Sequence, residues 1–572
     1  MSDEVKHECA VALVVLRKAA SAAGDFGGTK LSILLEKQHN RGQDGAGAAI
    51  VAANPEAGAA PYQVFKSASA TSLADVLAML TKRSGLQTRR AAAARADSAN
   101  GNFERIFLGH LRYATFGKNE EAFCHPFIHA ASELEKTLLL AGNFNLTNAT
   151  ELFESFRRQH CFPTSHADGY LITELVAHEL ETGKDLGSAL ANALREADGA
   201  WTLVGATADG SAFATRDPHG IRPGWYCISD EVVVVASERA AIQAAFDVPP
   251  EEVKELPRGE ALIVAPDGEI AFRPLFDPAH PASGARRSCS FERIYFSRAN
   301  DADIHRERKA LGAALVPQIM EAADSPLEDI FFSYIPNSAR IAFHGLLERM
   351  FDEVVPQRHG GRNPRFGEVI VKDAKFRTFI ADAASRREFY KHIYDVTYGL
   401  VRPGADTLVV LDDSIVRGNT MRNAILPMLD RLGPKRIVIA SSAPPIRYPD
   451  CYGIDMSTLG ELVAFRALVN LLGPGADGEL RKSASAAGNP LAALYARFSD
   501  AEHCAEIARL LTPPGLKAEV KVVFQTVESL HAACPNDAGD WYFTGDYPTP
   551  GGYKVLHTAL QHYLEKNNER SY

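Results

Sequence analysis

Residues 408 to 423, LVVLDDSIVRGNTMRN, bring together residue types that phosphate chemistry needs. An apolar run that can only be a buried strand ends in two adjacent carboxylates, Asp412 and Asp413, and then Ser414, Gly418 and Thr420 precede a helical pattern. A strand-to-helix loop of this kind turns backbone N–H groups and a helix N-terminus toward an anion, and its small side chains allow close approach. The paired acids stand where a ribose and its bound Mg²⁺ would be gripped. Taken alone, the same spacing also fits a strand-to-helix turn with capping acids. A second candidate is Cys9, which opens the apolar run AVALVVL. A thiolate is a strong nucleophile, yet an isolated cysteine beside an apolar strand is as a rule a small buried hydrophobe.

These residues need elements to position them. From Cys9 to about residue 275, short β-rich runs (AVALVVL, IFLGHLRYA, TLLLAGNF, WTLVGATA, EVVVVAS, EALIVA) alternate with Gly, Asn and Asp turns, and helical stretches fall near 31 to 39 and 168 to 183. That pattern predicts sheets covered by helices. Residues 86 to 102 are Ala-rich and polar, as in a surface insertion, and residues 277 to 288 are Pro/Gly/Ser-rich, as in a linker. Beyond them the rhythm becomes strand then longer helix: DTLVVLDD, a helix over about 420 to 432, then IVIASSAP. That spacing predicts a doubly wound parallel α/β unit. Residues 472 to 490 read as a flexible loop, and GYKVLHTALQHYLEKNNER near the end has helical periodicity.

The chain has 572 residues, 46% hydrophobic and 23% charged, with 43 Gly and 31 Pro, which excludes collagen-like, wholly disordered and disulfide-stapled chains. Its net charge of -10 would repel nucleic acid, so a phosphate-bearing ligand needs a local site. Eight cysteines without a CxxC pair fit reduced thiols in a cytoplasmic protein. The apolar stretch after residue 9 is too short and in the wrong charge order for a secretion signal, and no run is long enough to span a membrane.

Five motifs of the first half, QHNRGQDGAG (38 to 47), GHLRYATFG (109 to 117), AGNFNLTN (141 to 148), ADGYLITEL (167 to 175) and RDPHGIRP (216 to 223), resemble in order and spacing the glutaminase domain of the amidophosphoribosyltransferases. LVVLDDSIVRGNTMRN resembles the phosphoribosyl pyrophosphate (PRPP) loop of type I phosphoribosyltransferases, and SFERIYFSR (290 to 298), SSAPPIRYPDCYGIDM (441 to 456) and FTGDYPT (543 to 549) extend the likeness over most of the chain. The resemblance implies an α/β protein: an N-terminal-nucleophile hydrolase, a four-layer αββα sandwich, followed by a doubly wound phosphoribosyltransferase domain. The limits expected are a propeptide at 1 to 8, a glutaminase domain at 9 to 276 with an insertion at about 50 to 102, and a linker at 277 to 288. A phosphoribosyltransferase domain at 289 to 500, with a loop insertion at about 472 to 490, and a C-terminal helical region at 501 to 572 complete them. The activity implied makes 5-phosphoribosylamine, glutamate and pyrophosphate from glutamine, PRPP and water, the first step of purine synthesis. Departures from the family pattern keep two other readings open: a regulatory paralogue that binds PRPP or purine nucleotides without turnover, and a glutaminase-coupled transferase with another phosphoribosyl substrate.

By resemblance, Cys9 is the nucleophile, and its own α-amino group serves as base once residues 1 to 8 are removed. Asn143 and the backbone N–H of Phe144 form the oxyanion hole, with Phe144 in place of the usual Gly. Arg112, Thr115 and Asp168 hold the glutamine, with Arg41 and Asp44 supporting the pocket. Asp412 and Asp413 take the ribose and Mg²⁺, and the loop containing Ser414, Val416, Arg417, Gly418 and Thr420 takes the 5′-phosphate. Ser338, in YIPNSAR, matches a metal and pyrophosphate contact, where Asn337 replaces an acid. Lys372 and Arg377 match the start of a loop that closes over PRPP, followed by a stretch poorer in basic residues than the family's. An iron-sulfur cluster, carried by some members, is not expected: Cys289 matches one ligand, Cys451 is offset from a second, and Asn536 and Gly539 stand at the remaining places. Purine nucleotide inhibitors and a homo-oligomer, dimer or tetramer, are the partners implied, with neither nucleic acid nor membrane.

Overall fold

Runs too apolar to face water on either side become the inner strands of two stacked sheets. The computed structural model of the chain describes residues 9–17, 25–53, 60–94, 103–113, 120–159, 167–277, 285–357, 363–372, 394–536, 539–567 and 571. Its first half contains β1 (Ala10–Leu16), β2 (Gly45–Ala53), β3 (Tyr62–Ser67), β4 (Phe103–Arg112), β5 (Phe127–His129), β6 (Leu138–Leu146), β7 (Gly199–Thr207) and β8 (Ala212–Arg216). After these come β9 (Trp225–Ile228), β10 (Val232–Ala236), β11 (Lys254–Glu255), β12 (Glu260–Val264) and β13 (Ile270–Pro274). They form a seven-stranded sheet ordered β11-β9-β10-β1-β4-β2-β3 and a six-stranded sheet ordered β13-β12-β8-β7-β6-β5. The pleat gives each strand two faces. Val11, Leu13, Val15, Ile106 and Leu108 meet Leu139, Ala141, Val204 and Ala206 between the sheets. The outer face of the first sheet is covered by α1 (Phe26–Lys37) and α2 (Ser72–Ala94), and that of the second by α3 (Ala149–Gln159) and α4 (Asp168–Glu181). This is the four-layer αββα sandwich.

The second half contains β14 (Ile330–Tyr334), β15 (Arg365–Phe366), β16 (Ile370–Lys372), β17 (Tyr394–Val396), β18 (Thr407–Asp412), β19 (Arg436–Ser441) and β20 (Glu519–Phe524). Five of these form a parallel sheet, β15-β14-β18-β19-β20, while β16 and β17 pair separately. Helices Val316–Ala323 and Arg340–Arg349 cover one face of the parallel sheet, and Val463–Leu472 and Asp500–Leu511 the other.

Three segments differ from their sequence reading. Residues 472 to 490, expected as a flexible loop, contain the helix Ala476–Ser483, anchored by buried Ala476 and Leu480. Two apolar anchors among charged neighbours are too few to stand out as a period. The C-terminal region, expected as helical, contributes β20, an edge strand whose polar alternation hides it. Within residues 50 to 102, β3 and α2 are regular elements, and Val76 and Leu80 of α2 enter the core.

Candidate active sites

Cys9 immediately precedes β1, beside the end of β4. The Tyr113 N–H donates to Cys9 Sγ at 3.3 Å, and the thiol donates to the Tyr113 carbonyl at 3.8 Å. Burial pushes the thiol up to about 11, with the Tyr113 backbone and the charge of Arg112 acting against it. The sulfur faces a cavity of about 560 Å³ whose walls include Arg112, His125, Phe144, Asn145 and Asp168. Arg112 is buried and lies over the Phe123 ring at 5.7 Å. Asp168 begins α4, and burial raises its carboxyl to about 6 against the pull of its own N–H and that of Leu146.

Strand β6 supplies the cavity's polar edge. The Thr147 N–H donates toward β7, to the Asp198 carbonyl at 2.8 Å, so the even residues of β6 direct their backbone groups to the opposite edge. There β5 pairs only as far as Leu140, opposite Phe127. Beyond it the Gly142 N–H donates to His125 Nδ1 at 3.2 Å, and the Gly142 carbonyl accepts from His110 Nε2 at 3.0 Å. The Phe144 N–H comes next along the same edge, at the cavity wall. The Leu146 N–H follows, on the Asp168 carboxylate. Phe144 is not among the non-glycine residues with positive φ, so the side chain that replaces the expected glycine causes no backbone strain in this regular strand. Asn143, on the face shared with Leu139 and Ala141, keeps Nδ2 buried without a hydrogen-bond acceptor among the described residues. A buried amide donor in that condition is costly, although Asn143, unlike Gly142, Phe144 and Asn145, does not itself line the cavity.

A second cavity, of about 670 Å³, lies at the C-terminal end of β18, where a doubly wound sheet places its ligands. Ser338, Lys372, Asp412, Asp413, Ser414, Val416, Arg417, Gly418 and Thr420 all line it. Ser338 and Ser414 hydroxyls donate to the two oxygens of Asp413, the latter at 2.8 Å, and the Asp413 N–H donates to Asp412 Oδ1 at 2.9 Å. Burial, then the neighbouring charge of Asp413, pushes Asp412 well above the usual carboxylate range. Burial also raises Asp413, against the two hydroxyls and the charge of Arg308. Two adjacent acids, Asp413 buried and Asp412 half-buried, concentrate negative charge that Arg308 offsets only in part, and their oxygens suit a hard divalent cation. Gly418 has φ 77°, and a Cβ there would lie 2.3 Å from Leu511 Cδ2. Arg417 borders the cavity, but its Nε donates to Glu461 at 2.7 Å and an Nη to the Asp455 carbonyl at 3.1 Å.

Arg41 does not line the glutamine-side cavity. Its guanidinium is held by Glu238 at 2.9 Å and by Glu292 at 2.6 Å, all three side chains buried. Glu292 belongs to the second half, so this ion pair ties the halves together. The rest of that loop forms a shared wall. His39, Asn40 and Gln43 line the second cavity, while the Asp44 N–H donates to the Arg112 carbonyl at 3.0 Å behind the first. Thr115, Arg377 and residues 1 to 8 lie outside the described residues.

Residues 120–244 match the family model of the glutamine amidotransferase domain. The amidophosphoribosyltransferase of Bacillus subtilis (strain 168) is 31% identical over 377 residues, 64% of this chain and 72% of the relative. That of Escherichia coli (strain K12) is 30% identical over 407 residues, 67% of this chain and 74% of the relative. The chain belongs to the amidophosphoribosyltransferase family. The family fold extends over nearly the whole chain: a solved glutamine PRPP amidotransferase from B. subtilis, complexed with ADP and GMP, superposes with a TM-score of 0.67 at 24% identity, covering 95% of this chain and 97% of that one.

Three contributors to this family member's sites carry no role in the sequence reading. His110 sits inside the motif GHLRYATFG and His125 outside every motif; only their pairing across two sheets gives them meaning. Arg308, buried behind Asp413, donates to the carbonyls of Arg293 and Ser297, both at 2.7 Å. It comes from a helix with no motif at all. No helix among the described residues is long and apolar enough to cross a membrane.

Proposed function

We propose that the chain is a glutamine-dependent amidophosphoribosyltransferase whose two half-reactions use the two cavities. The observation that carries this reading is the shared wall: one loop, residues 39 to 44, borders the phosphoribosyl cavity with His39, Asn40 and Gln43 and braces Arg112 of the glutamine cavity with Asp44.

In the first half-reaction Arg112 pairs with the α-carboxylate of glutamine and Asp168 with its α-ammonium. Cys9 Sγ attacks the side-chain amide carbon. Removal of residues 1 to 8 supplies the α-amino group that takes the thiol proton and passes it to the departing ammonia. The amide oxygen gains negative charge as the tetrahedral adduct forms, and Asn143 Nδ2 and the Phe144 N–H stabilise it. Water then cleaves the thioester to glutamate and returns the thiol. In the second half-reaction ammonia attacks C1 of PRPP, the C1–O bond to pyrophosphate breaks, and the ammonium formed loses a proton to give 5-phosphoribosylamine. Asp412 and Asp413 hold the ribose hydroxyls, the backbone of 414 to 420 holds the 5′-phosphate, and Ser338 and Lys372 face the pyrophosphate. Asp412, Asp413 and Ser338 are the residues that would hold Mg²⁺, which would supply charge neutralisation for the leaving pyrophosphate. The surroundings of Cys289 do not suit a four-thiolate cluster, because Asn536 and Gly539 bring no sulfur and the Tyr542 hydroxyl lies 3.5 Å from Cys289 Sγ. Purine nucleotides, which share the phosphate and ribose of PRPP, are the inhibitors we expect, on a homo-oligomer.

Glutamate release by the purified protein, with and without PRPP, combined with N-terminal sequencing, tests this. We expect PRPP-stimulated release by chains that begin at Cys9. Absence of any stimulated release removes the reading, and full activity in chains that still carry residue 1 or 2 removes the terminal-amine step.

A further inference from the structure

The glutamine-side cavity contains a histidine pair that the mechanism above does not use. His110 reaches from β4 and His125 from just before β5, and their rings stack at a centroid distance of 3.9 Å with 10° between planes. Between them they take both polar groups of one peptide: Nδ1 of His125 accepts from the Gly142 N–H, and Nε2 of His110 donates to the Gly142 carbonyl. The partners fix both tautomers, since an N–H can donate only to a bare ring nitrogen and a carbonyl can accept only from a protonated one. Burial pushes His110 down to about 3 and His125 well below its ordinary value, and the nearby positive charges of Lys66 and Arg112 act in the same direction.

The place of this clamp on β6 gives it a consequence. Backbone pairing from β5 stops at Leu140, and the two oxyanion donors of the proposed mechanism, Asn143 and the Phe144 N–H, directly follow Gly142. Pairing with β7 holds the strand on its other side from Leu138 to Leu146, but on the β5 side its N–H and C=O groups beyond Leu140 have no strand neighbour. On that β5 side the last peptide anchored before the donors is that of Gly142, and the imidazoles anchor it. The clamp also adjoins α4: a Cβ on Gly169 would lie 2.4 Å from the Phe127 ring and 3.3 Å from His125 Cε1, so glycine lets the helix that carries Asp168 close over Phe127 with the histidine beside it. We propose that His110 and His125 are positioning residues for the glutaminase half-reaction, standing in for the missing β5 neighbour and aiming the Asn143 and Phe144 donors at the amide oxygen. This rests on the functional reading above. It adds that the hole is set by a side-chain clamp from outside the strand that carries it.

The experiment compares His125→Asn, whose Oδ1 stands where Nδ1 does, with His125→Gln, whose amide oxygen overshoots to the Nε2 position, and His125→Leu, which fills space without an acceptor. Three readouts are taken: glutamine kcat, glutamine KM, and phosphoribosylamine formation from ammonium, which bypasses the hole. Losing a single oxyanion donor lowers kcat by about 10² to 10³, so the Leu variant is expected to lose about 10² in kcat with KM within about twofold. The Asn variant stays within about threefold of wild type, the Gln variant falls near Leu, and all keep ammonium-dependent synthesis. Equal glutamine kcat in the Gln and Asn variants overturns the proposal, as does a Leu variant with wild-type kcat. Should the Leu variant not fold, the Gln and Asn pair decides alone. A wild type with no glutaminase activity at all fails the functional reading, whereas an active wild type indifferent to residue 125 fails only this inference.

Discussion

Asp168 shows how a single residue's surroundings set its task. Its carboxyl, raised by burial to about 6, is held by backbone N–H groups and has no cation beside it among the described residues, so a substrate's ammonium would complete it. Because the empty site's pKa lies near 6, falling pH protonates it before substrate binds, and glutamine KM should rise by about tenfold per unit below pH 6 while kcat changes less. Initial-rate measurements between pH 5 and 8 check this, and Asp168→Asn should remove the dependence and raise KM at every pH. Asp412 and Asp413 are raised by burial too, and Asp412 further by the charge of its neighbour. They repel each other in a buried corner, so a divalent cation or the ribose hydroxyls relieve the site, and Asp412→Asn should abolish ammonium-dependent synthesis while leaving the fold's thermal midpoint equal or higher. Residues whose chemistry is intrinsic were legible from the sequence: a thiol opening a strand, and two acids ending one. Those that act through position were not. His125 and Arg308 are ordinary in sequence and acquire a role only when folding places them behind Gly142 and Asp413. Arg41 was legible as important but not in its role, since its carboxylate partners lie 197 and 251 residues away.

At the scale of elements, the strands named from apolar runs appear as β1, β4, β6, β7, β10, β12, β18 and β19, because a strand buried on both faces has no polar positions to confuse the pattern. The elements missed include the inner strands β2, β8 and β14, which are Gly/Ala-rich or only five residues long, and edge elements. β20 alternates polar and apolar at the rim of the parallel sheet, and the helix Ala476–Ser483 rests on two buried residues. The loop after β18 is the most constrained local structure near a site. Gly418 holds φ 77° with Leu511 against it, so Gly418→Ala combines backbone strain with a clash. A cost of about 2 kcal/mol is expected, or a fall of several degrees in the thermal midpoint by scanning calorimetry, together with a higher PRPP KM because the phosphate-binding N–H groups shift.

At the scale of the whole molecule, the two halves are joined where the two cavities meet and again at the C-terminal helix Pro550–Glu565. There Asp198 accepts from the Gly551 N–H at 2.9 Å, while Asn145 of β6 donates to the Cys451 carbonyl at 2.7 Å. The buried Arg41 ion pair is the strongest of these ties in electrostatic terms. Arg41→Met leaves Glu238 and Glu292 buried without their cation and should cost about 3 to 5 kcal/mol, measurable by denaturant unfolding. The net charge of -10, which argues against polyanions, is compatible with a phosphate substrate because that substrate meets a backbone loop and Lys372 locally. The central claim is that nitrogen leaves glutamine at Cys9 and is used at Asp412 and Asp413. Pyrophosphate release by Cys9→Ala, supplied with PRPP and either glutamine or ammonium, tests it most directly. The account predicts none with glutamine and the wild-type rate with ammonium. Glutamine-supported release by Cys9→Ala would contradict it.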